Sequence, residues 1–279
     1  MDVNKLRLKS IEYRKTILEI IHYGGAGHTA GSLSCVDILN VLYNQIMNIT
    51  PENFDSVNRD HYIQSKGHSV EVLYTVLADQ GFYPQDDLLK GLNQNYSKFM
   101  GHPTRKVPGI EHNTGALGHG LSVSVGLALA GKLNGHAYRV FTLLGDGELA
   151  EGSSWEASMS AAHYKLDNLI VIIDRNTLQI TGRTEEVNGL EPLADKFTAF
   201  GYAVRQVNGN DVEALSSLLS QVPFEQGKPS LVLANTVKGK GVSYMEDQKV
   251  WHHKVPSDEQ LVIALKELDT AKLQLGEGQ

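Results

Sequence analysis

The chain has 279 residues, 41% of them hydrophobic, enough for one large α/β unit with a sizeable core. Its 25 basic and 32 acidic residues leave a net charge of −7, and no basic patch is present to release counterions, which speaks against general binding to nucleic acid or to an anionic membrane. The single cysteine, Cys35, excludes an intrachain disulfide and a cysteine-held zinc or iron–sulfur centre, and is expected in the core. The N-terminal MDVNKLRLKS lacks the apolar run of a signal peptide, and no run of about 18 apolar residues occurs, so a cytoplasmic location is expected.

Apolar residues Leu6, Ile11, Ile17, Leu18 and Ile21 recur at helical spacing, so residues 3 to about 23 are expected to form a helix that stops at Tyr23-Gly24-Gly25. A glycine-rich loop then carries His28. Residues 33–47 read as a second helix ended by Thr50-Pro51, residues 61–64 as a short strand, and 70–78 as another helix. The stretch 80–116 contains Gly81, Pro84, Pro103, Pro108 and Gly115 and reads as loops; the histidines in and beside it mark it as part of a site rather than a linker. Small residues recur from Leu117 to Leu133, which suits a helix packed closely on a sheet or on another subunit. Strands are expected at 140–144, 169–173, 203–207 and 231–236, with helices at 191–200 and 211–221. This alternation predicts an α/β fold, a doubly wound parallel sheet with helices on both faces and ligands at the carboxyl ends of its strands. No repeat or boundary is visible, so a single domain over 1–279 is expected, with a flexible tail from about residue 270.

Chemistry concentrates after two of those strands. Gly145-Asp146-Gly147 follows the apolar run 140–144, and about thirty positions later Asn176 follows the run 169–173. Two strands would bring a carboxylate and an amide to one sheet edge, where hard oxygen ligands and a close backbone approach suit Mg²⁺ or Ca²⁺ bridging to a diphosphate. The Gly147 amide, at the start of the next helix, is placed to donate to a phosphate oxygen.

GDGELAEG followed by DRNTLQITG resembles the thiamine diphosphate signature. Further segments narrow the resemblance to transketolases: GAGHTAGS around His28, SKGH ending in His68, Gly101-His102-Pro103, TGALGHG at 114–120, Lys238-Gly239-Lys240-Gly241, and Trp251-His252-His253-Lys254. They occur in family order over roughly residues 10–260. The resemblance implies the thiamine-diphosphate-binding fold of the diphosphate-binding type, with thiamine diphosphate and Mg²⁺ or Ca²⁺ as cofactors. It implies metal ligation by Asp146, Asn176 and the peptide oxygen of Leu178, and cofactor contacts from His68, Gly115, Leu117, Gly145, Asp146, Gly147, Glu151, Asp174, Asn176 and His252. His28, His68, His102 and His252 fall on the family positions around the thiazolium and the sugar, and are the expected catalytic residues; imidazoles suit hydroxyl recognition and proton transfer near neutral pH. Glu151 resembles a residue of a carboxylate network between subunits, and Glu156 lies five residues further on.

His119 in place of the usual Gln and His253 after His252 depart from the family pattern. His22, His112, His136 and His163 match no site position. The glutamate that activates the cofactor in a full-length transketolase lies on a GIxEQ-like segment of a pyrimidine-binding domain, and neither Glu225-Gln226 nor Glu259-Gln260 has that setting. The chain therefore reads as the N-terminal, diphosphate-binding subunit of a split transketolase, which transfers a two-carbon glycolaldehyde unit from a ketose to an aldose. Its expected partner is a C-terminal transketolase subunit with the pyrimidine-binding domain, in an assembly of two copies of each chain, with sugars or sugar phosphates as substrates. The α subunit of a 2-oxo-acid dehydrogenase, deoxyxylulose-phosphate synthase and a non-catalytic cofactor-binding module are the alternatives.

Overall fold

The computed structural model of the chain describes residues 1–277. At its centre is a five-stranded sheet in the order β1-β2-β3-β5-β4, where β1 is His61–Gln64, β2 Val140–Gly145, β3 Leu169–Arg175, β4 Ala203–Asn208 and β5 Ser230–Asn235. Every adjacent pair is parallel, the geometry that covering helices on both faces require. Side chains alternate between two cores with the period of a strand. Phe141, Leu143, Ile170, Ile172 and Val232 face one layer, and Leu144, Val171, Ile173, Leu231 and Leu233 face the other. Each buried aliphatic side chain contributes roughly 1.5–3 kcal/mol, so the strand ends are held from both sides.

The first layer comprises α1 (Val3–Gly24), α2 (Thr29–Ser34), α3 (Val36–Val41), α4 (Val70–Asp79), α5 (Gln85–Gly91), α10 (Val212–Leu219) and α11 (Asp258–Glu277). The second comprises α6 (His119–Leu133), α7 (Gly152–His163) and α9 (Leu193–Phe200), with α8 (Thr184–Val187) a single turn. Gly25, at φ 67°, closes α1 by donating to Ile21 O at 3.0 Å. Among the described residues no helix is long and apolar enough to cross a membrane.

Four stretches differ from the sequence-based expectation. The helix expected over 33–47 starts at Thr29 and breaks at Cys35 (φ −105°, ψ 13°), where Ser34 turns to donate to the buried Asp174 at 2.6 Å. Cys35 itself is buried. The loops of 80–116 include α5, whose Asp86 and Asp87 in the first turn and Lys90 in the last complement the helix dipole. After Gly145-Asp146-Gly147 comes a 3₁₀ turn, Gly147–Ala150, and the α-helix starts only at Gly152. In place of a tail free from residue 270, α11 continues to Glu277 because Ala271 and Leu275 pack on the core beside α1; Gly278 and Gln279 lie outside the described residues.

The register fixes the location of the site. Gly145 pairs with Asp174, and Asp174 with Ala234, so the segments leaving β1, β2, β3 and β5 converge at one sheet edge.

Candidate active site

At that edge is a cavity of about 290 Å³ whose lining includes His28, Lys66, His68, Asp146, Glu148, Asn176, Leu178, Lys238 and His252. Asp146 is 2% exposed. Its Oδ1 accepts from the Gly147 amide at 2.8 Å, and its Oδ2 from the Thr177 amide at 2.6 Å and Arg175 Nη1 at 3.0 Å. Burial, then the neighbouring Asp174 carboxylate, raises the Asp146 pKa above the usual range, the behaviour of a desolvated carboxylate that a cation would stabilise. Asn176 Oδ1 accepts from the Leu178 amide at 3.1 Å while its Nδ2 donates to Asp174 at 3.2 Å. Between them Thr177 adopts a left-handed φ of 64°, and the turn presents the Leu178 carbonyl, which accepts from Lys238 Nζ at 2.8 Å.

Beneath this floor lies a buried ion pair. The Asp174 carboxylate bonds Lys66, Ser34 and Thr236, and Lys66 also donates to Gly31 O at 3.0 Å. Burial opposes both charges, yet each partner offsets it: Asp174 raises the Lys66 pKa and Lys66 lowers that of Asp174. Glu148 turns inward from the 3₁₀ turn. It accepts from Ser65 Oγ, from the Gly118 amide at 2.8 Å and from the Gly145 amide at 3.0 Å, so it ties β1, β2 and the start of α6 together. This inward turn ends the first helical turn early. The Gly147 amide, expected at a helix N-terminus, is instead engaged by Asp146.

These residues fit a divalent cation with a diphosphate. A carboxylate, an amide oxygen and a peptide carbonyl are the hard donors that Mg²⁺ or Ca²⁺ takes, the remaining positions falling to phosphate oxygens and water. Among the described residues no group of three or more His, Cys, Asp and Glu side chains is placed to hold a metal alone. Lys238 supplies positive charge for an anion, Lys66 being already paired with Asp174; burial, then Lys66, lowers the Lys238 pKa to about 8. The backbone leaves no room for side chains on the facing wall. A Cβ on Gly67 would lie 2.7 Å from Thr114 Oγ1, and one on Gly115 (φ 142°) would lie 3.0 Å from the His102 ring.

The histidines stand above this floor. The ring of His28 lies 5.3 Å from that of His68, 6.0 Å from His102, 5.5 Å from His252 and 4.6 Å from His253, centroid to centroid. His68 and His252 stack at 5.4 Å. Buried Glu71 accepts from the His28 amide at 3.0 Å and from Ser32 at 2.7 Å, which pins the glycine-rich loop to α4. Burial is the main cause that pushes His28 down to about 4 and His252 to about 3, followed by His253 for the first and Lys238 for the second. Burial also lowers His68 and His102. All four imidazoles are therefore neutral near pH 7, each with one ring nitrogen to donate and one to accept a hydrogen bond.

Gly115, Leu117, Gly145 and Gly147 line the cavity with these groups. Asp174 lies just below it. Glu151 and Glu156 are exposed on or beside α7, and the carboxylate that enters the cavity is Glu148, three residues before Glu151. His119 is exposed at the start of α6, where it contacts the Leu117 carbonyl, whereas His253 joins the histidine cluster. Lys66 and Lys238 sit in SKGH and KGKG, so their motifs were visible and their roles were not. Nothing in the spacing of GDGELAEG reveals which of its glutamates turns inward.

The parallel sheet, the oxygen-lined floor and the two lysines define a thiamine diphosphate binding domain of the transketolase type. The family described as "Transketolase, thiamine diphosphate binding domain" matches residues 7–270. The chain is 47% identical to one subunit of the apulose-4-phosphate transketolase of Phocaeicola vulgatus over 268 residues, covering 96% of this chain and 95% of that one. It is 41% identical to a 6-deoxy-6-sulfo-D-fructose transketolase subunit of a Clostridium species, covering 92% and 93%. The crystal structure of transketolase from Campylobacter jejuni superposes with a TM-score of 0.85 at 29% identity, covering 99% of this chain and 48% of that one. The chain belongs to the transketolase family, and it is an enzyme chain of the thiamine-diphosphate-dependent kind. It spans nearly the whole of the two separate subunits and about half of the solved transketolase.

Proposed function

We propose that this chain is the diphosphate-binding subunit of a transketolase divided between two polypeptides, and that with its partner it moves a two-carbon glycolaldehyde unit from a ketose to an aldose. The observation that carries this reading is the convergence of four neutral histidines on a cavity floored by Asp146, Asn176, Leu178 and two lysines. In it Asp146, Asn176 and the Leu178 carbonyl would hold Mg²⁺, and Lys238 would face the diphosphate. Thiamine diphosphate, when bound, supplies the carbon centre for cleavage between C2 and C3 of the donor. His28, His68, His102 and His252 bind the C1 and C2 oxygens of the ketose and pass protons to and from them. The low dielectric of the buried wall favours the neutral imidazole, the form that can act as a base.

The partner carries the pyrimidine-binding domain and the glutamate that activates the cofactor, and two copies of each chain close into a heterotetramer through α6 and α7. The donor is a ketose with an anionic end, phosphate or sulfonate, held mainly by the partner, and the enzyme works in the carbohydrate metabolism of the cytoplasm. Relatives that differ in sugar support that class: one is named for apulose-4-phosphate and another for 6-deoxy-6-sulfo-D-fructose. The test is to assay this chain alone and with the partner, with Mg²⁺, thiamine diphosphate and a C1-labelled ketose phosphate or sulfonate. Label should reach the aldose only when both chains are present. Robust turnover by this chain alone, or pyruvate decarboxylation in place of transfer, overturns the proposal.

A further inference from the structure

Arg175, the last residue of β3, is enclosed by acceptors from four points of the chain. Its Nη1 donates to Asp146 Oδ2 at 3.0 Å and Thr184 Oγ1 at 2.7 Å, and its Nη2 to Glu185 Oε1 at 2.9 Å and Glu191 Oε1 at 2.8 Å. The side chain is 7% exposed, against 44% for Glu185 and 54% for Glu191. With the Thr177 amide also on it, Oδ2 of Asp146 has both lone-pair sites filled, whereas Oδ1 accepts only from Gly147. One oxygen of the carboxylate is thus saturated and the other retains capacity for a cation.

An arginine at this place would by itself weaken a metal site, because its charge repels the incoming cation and attracts the carboxylate that should bind it. Two further carboxylates on the same guanidinium more than offset that charge. The same arginine anchors the loop that carries the third oxygen donor: Thr184, bonded to Nη1, donates its amide to Thr177 O at 2.9 Å, and the amides of Leu190 and Glu191 donate to the Glu185 carboxylate.

We propose that Arg175, Glu185 and Glu191 form a clamp whose glutamates offset the arginine's charge. Arg175 fixes Asp146 so that Oδ1 is the oxygen offered to the divalent cation, and the two glutamates preserve the attraction of Asp146 for that cation. Arg175 is a positioning residue. Its rigid planar fork, which a lysine lacks, is what lets one side chain hold three carboxylates. The clamp rests on the assignment of Asp146 as a metal ligand.

The experiment uses the assembled two-chain protein with saturating thiamine diphosphate and Mn²⁺ as a paramagnetic substitute for Mg²⁺, and reads bound Mn²⁺ by electron paramagnetic resonance. Asp146→Ala should lose the bound ion. Arg175→Ala should weaken Mn²⁺ binding by about 10–100-fold, the usual effect of removing an outer partner of a metal ligand, and should change the spectrum of the remaining bound ion. Arg175→Lys should recover only part of the loss. The double variant Glu185→Gln/Glu191→Gln keeps the arginine and the shapes, and should weaken binding most at low ionic strength, where the uncancelled charge is least screened. Should Arg175→Ala fail to fold, this variant decides, since both glutamates are about half exposed. Wild-type Mn²⁺ affinity in the arginine and glutamate variants, with loss in Asp146→Ala, overturns the clamp alone. Wild-type affinity in Asp146→Ala overturns the metal assignment itself.

Discussion

The floor of the cavity and the wall of histidines above it differ in how their side chains are held. Lys66, Asp174 and Glu148 are each at most 2% exposed and bond to fixed partners on neighbouring strands and loops. The rings of His28, His68 and His102 make no hydrogen bond among the described residues and are positioned by one another at 5.3–6.0 Å and by backbone anchors such as Glu71. In the floor Lys66 and Asp174 compensate each other's charge, as burial in a low dielectric demands, and Glu148 is held by three donors. In the wall the ring nitrogens of His28, His68 and His102 stay free, while His252 Nδ1 lies 3.0 Å from Lys238 Nζ. Free imidazole nitrogens can serve changing hydroxyl and alkoxide groups during a reaction, whereas the polar groups of the floor are already engaged by the protein.

The largest effect separating the two regions should come from the wall. Single changes of His28, His68, His102 or His252 to Asn should lower two-carbon transfer by the assembled enzyme about 10²–10⁴-fold, the range for a positioned acid or base, while calorimetry finds cofactor affinity nearly unchanged. Wild-type turnover in all four would leave the wall a packing feature only.

A change in the floor should act on folding first. Lys66→Ala strands Asp174 without its counter-ion in a fully buried position, and loss of one member of a buried pair costs about 3–5 kcal/mol. Denaturant unfolding of the chain should show that loss, and the double variant Lys66→Met/Asp174→Leu should regain much of it. Equal stability of Lys66→Ala and wild type would dissolve the distinction between floor and wall.

The smallest effect is on pH dependence. The ordinary histidine pKa of 6.5 falls to about 4 for His28 and about 3 for His252 in the folded chain. Between pH 6.5 and those values the unfolded chain binds protons that the folded one refuses, so stability is complete above 6.5 and declines as pH falls toward 4. His28→Asn/His252→Asn should flatten that decline and leave stability above pH 7 nearly unaltered. An unchanged acid slope in unfolding titrations would mean that these rings are not desolvated.

Much of the site was legible because it is local. Gly145-Asp146-Gly147 and Asn176 stand directly after apolar runs, and a parallel sheet must place the residues that follow such runs at its carboxyl edge. The motif histidines were legible through the resemblance of their segments to a known family, not through the hydrophobic pattern. Lys66, Glu148 and Arg175 were not given roles, since side-chain direction at the end of a strand depends on partners far away in the chain: Asp174 is 108 residues from Lys66, and Ser65 is 83 from Glu148. The break at Cys35 has a like setting, for the side chain of Ser34, the last residue of α2, bonds a carboxylate 140 residues on.

By itself, then, the sequence determined the alternation of strands and helices and the parallel sheet, because those follow from hydrophobic period, while its motifs pointed to the candidate oxygen donors and histidines. Only the tertiary structure decided which of Glu148, Glu151 and Glu156 enters the cavity, that Lys66 and Asp174 neutralise each other beneath the floor, that His253 joins His28, and that Arg175 grips Asp146. These depend on long-range charge compensation. A buried ion is tolerated only where its partner is brought by another part of the chain, and that meeting is a property of the folded packing rather than of any one segment.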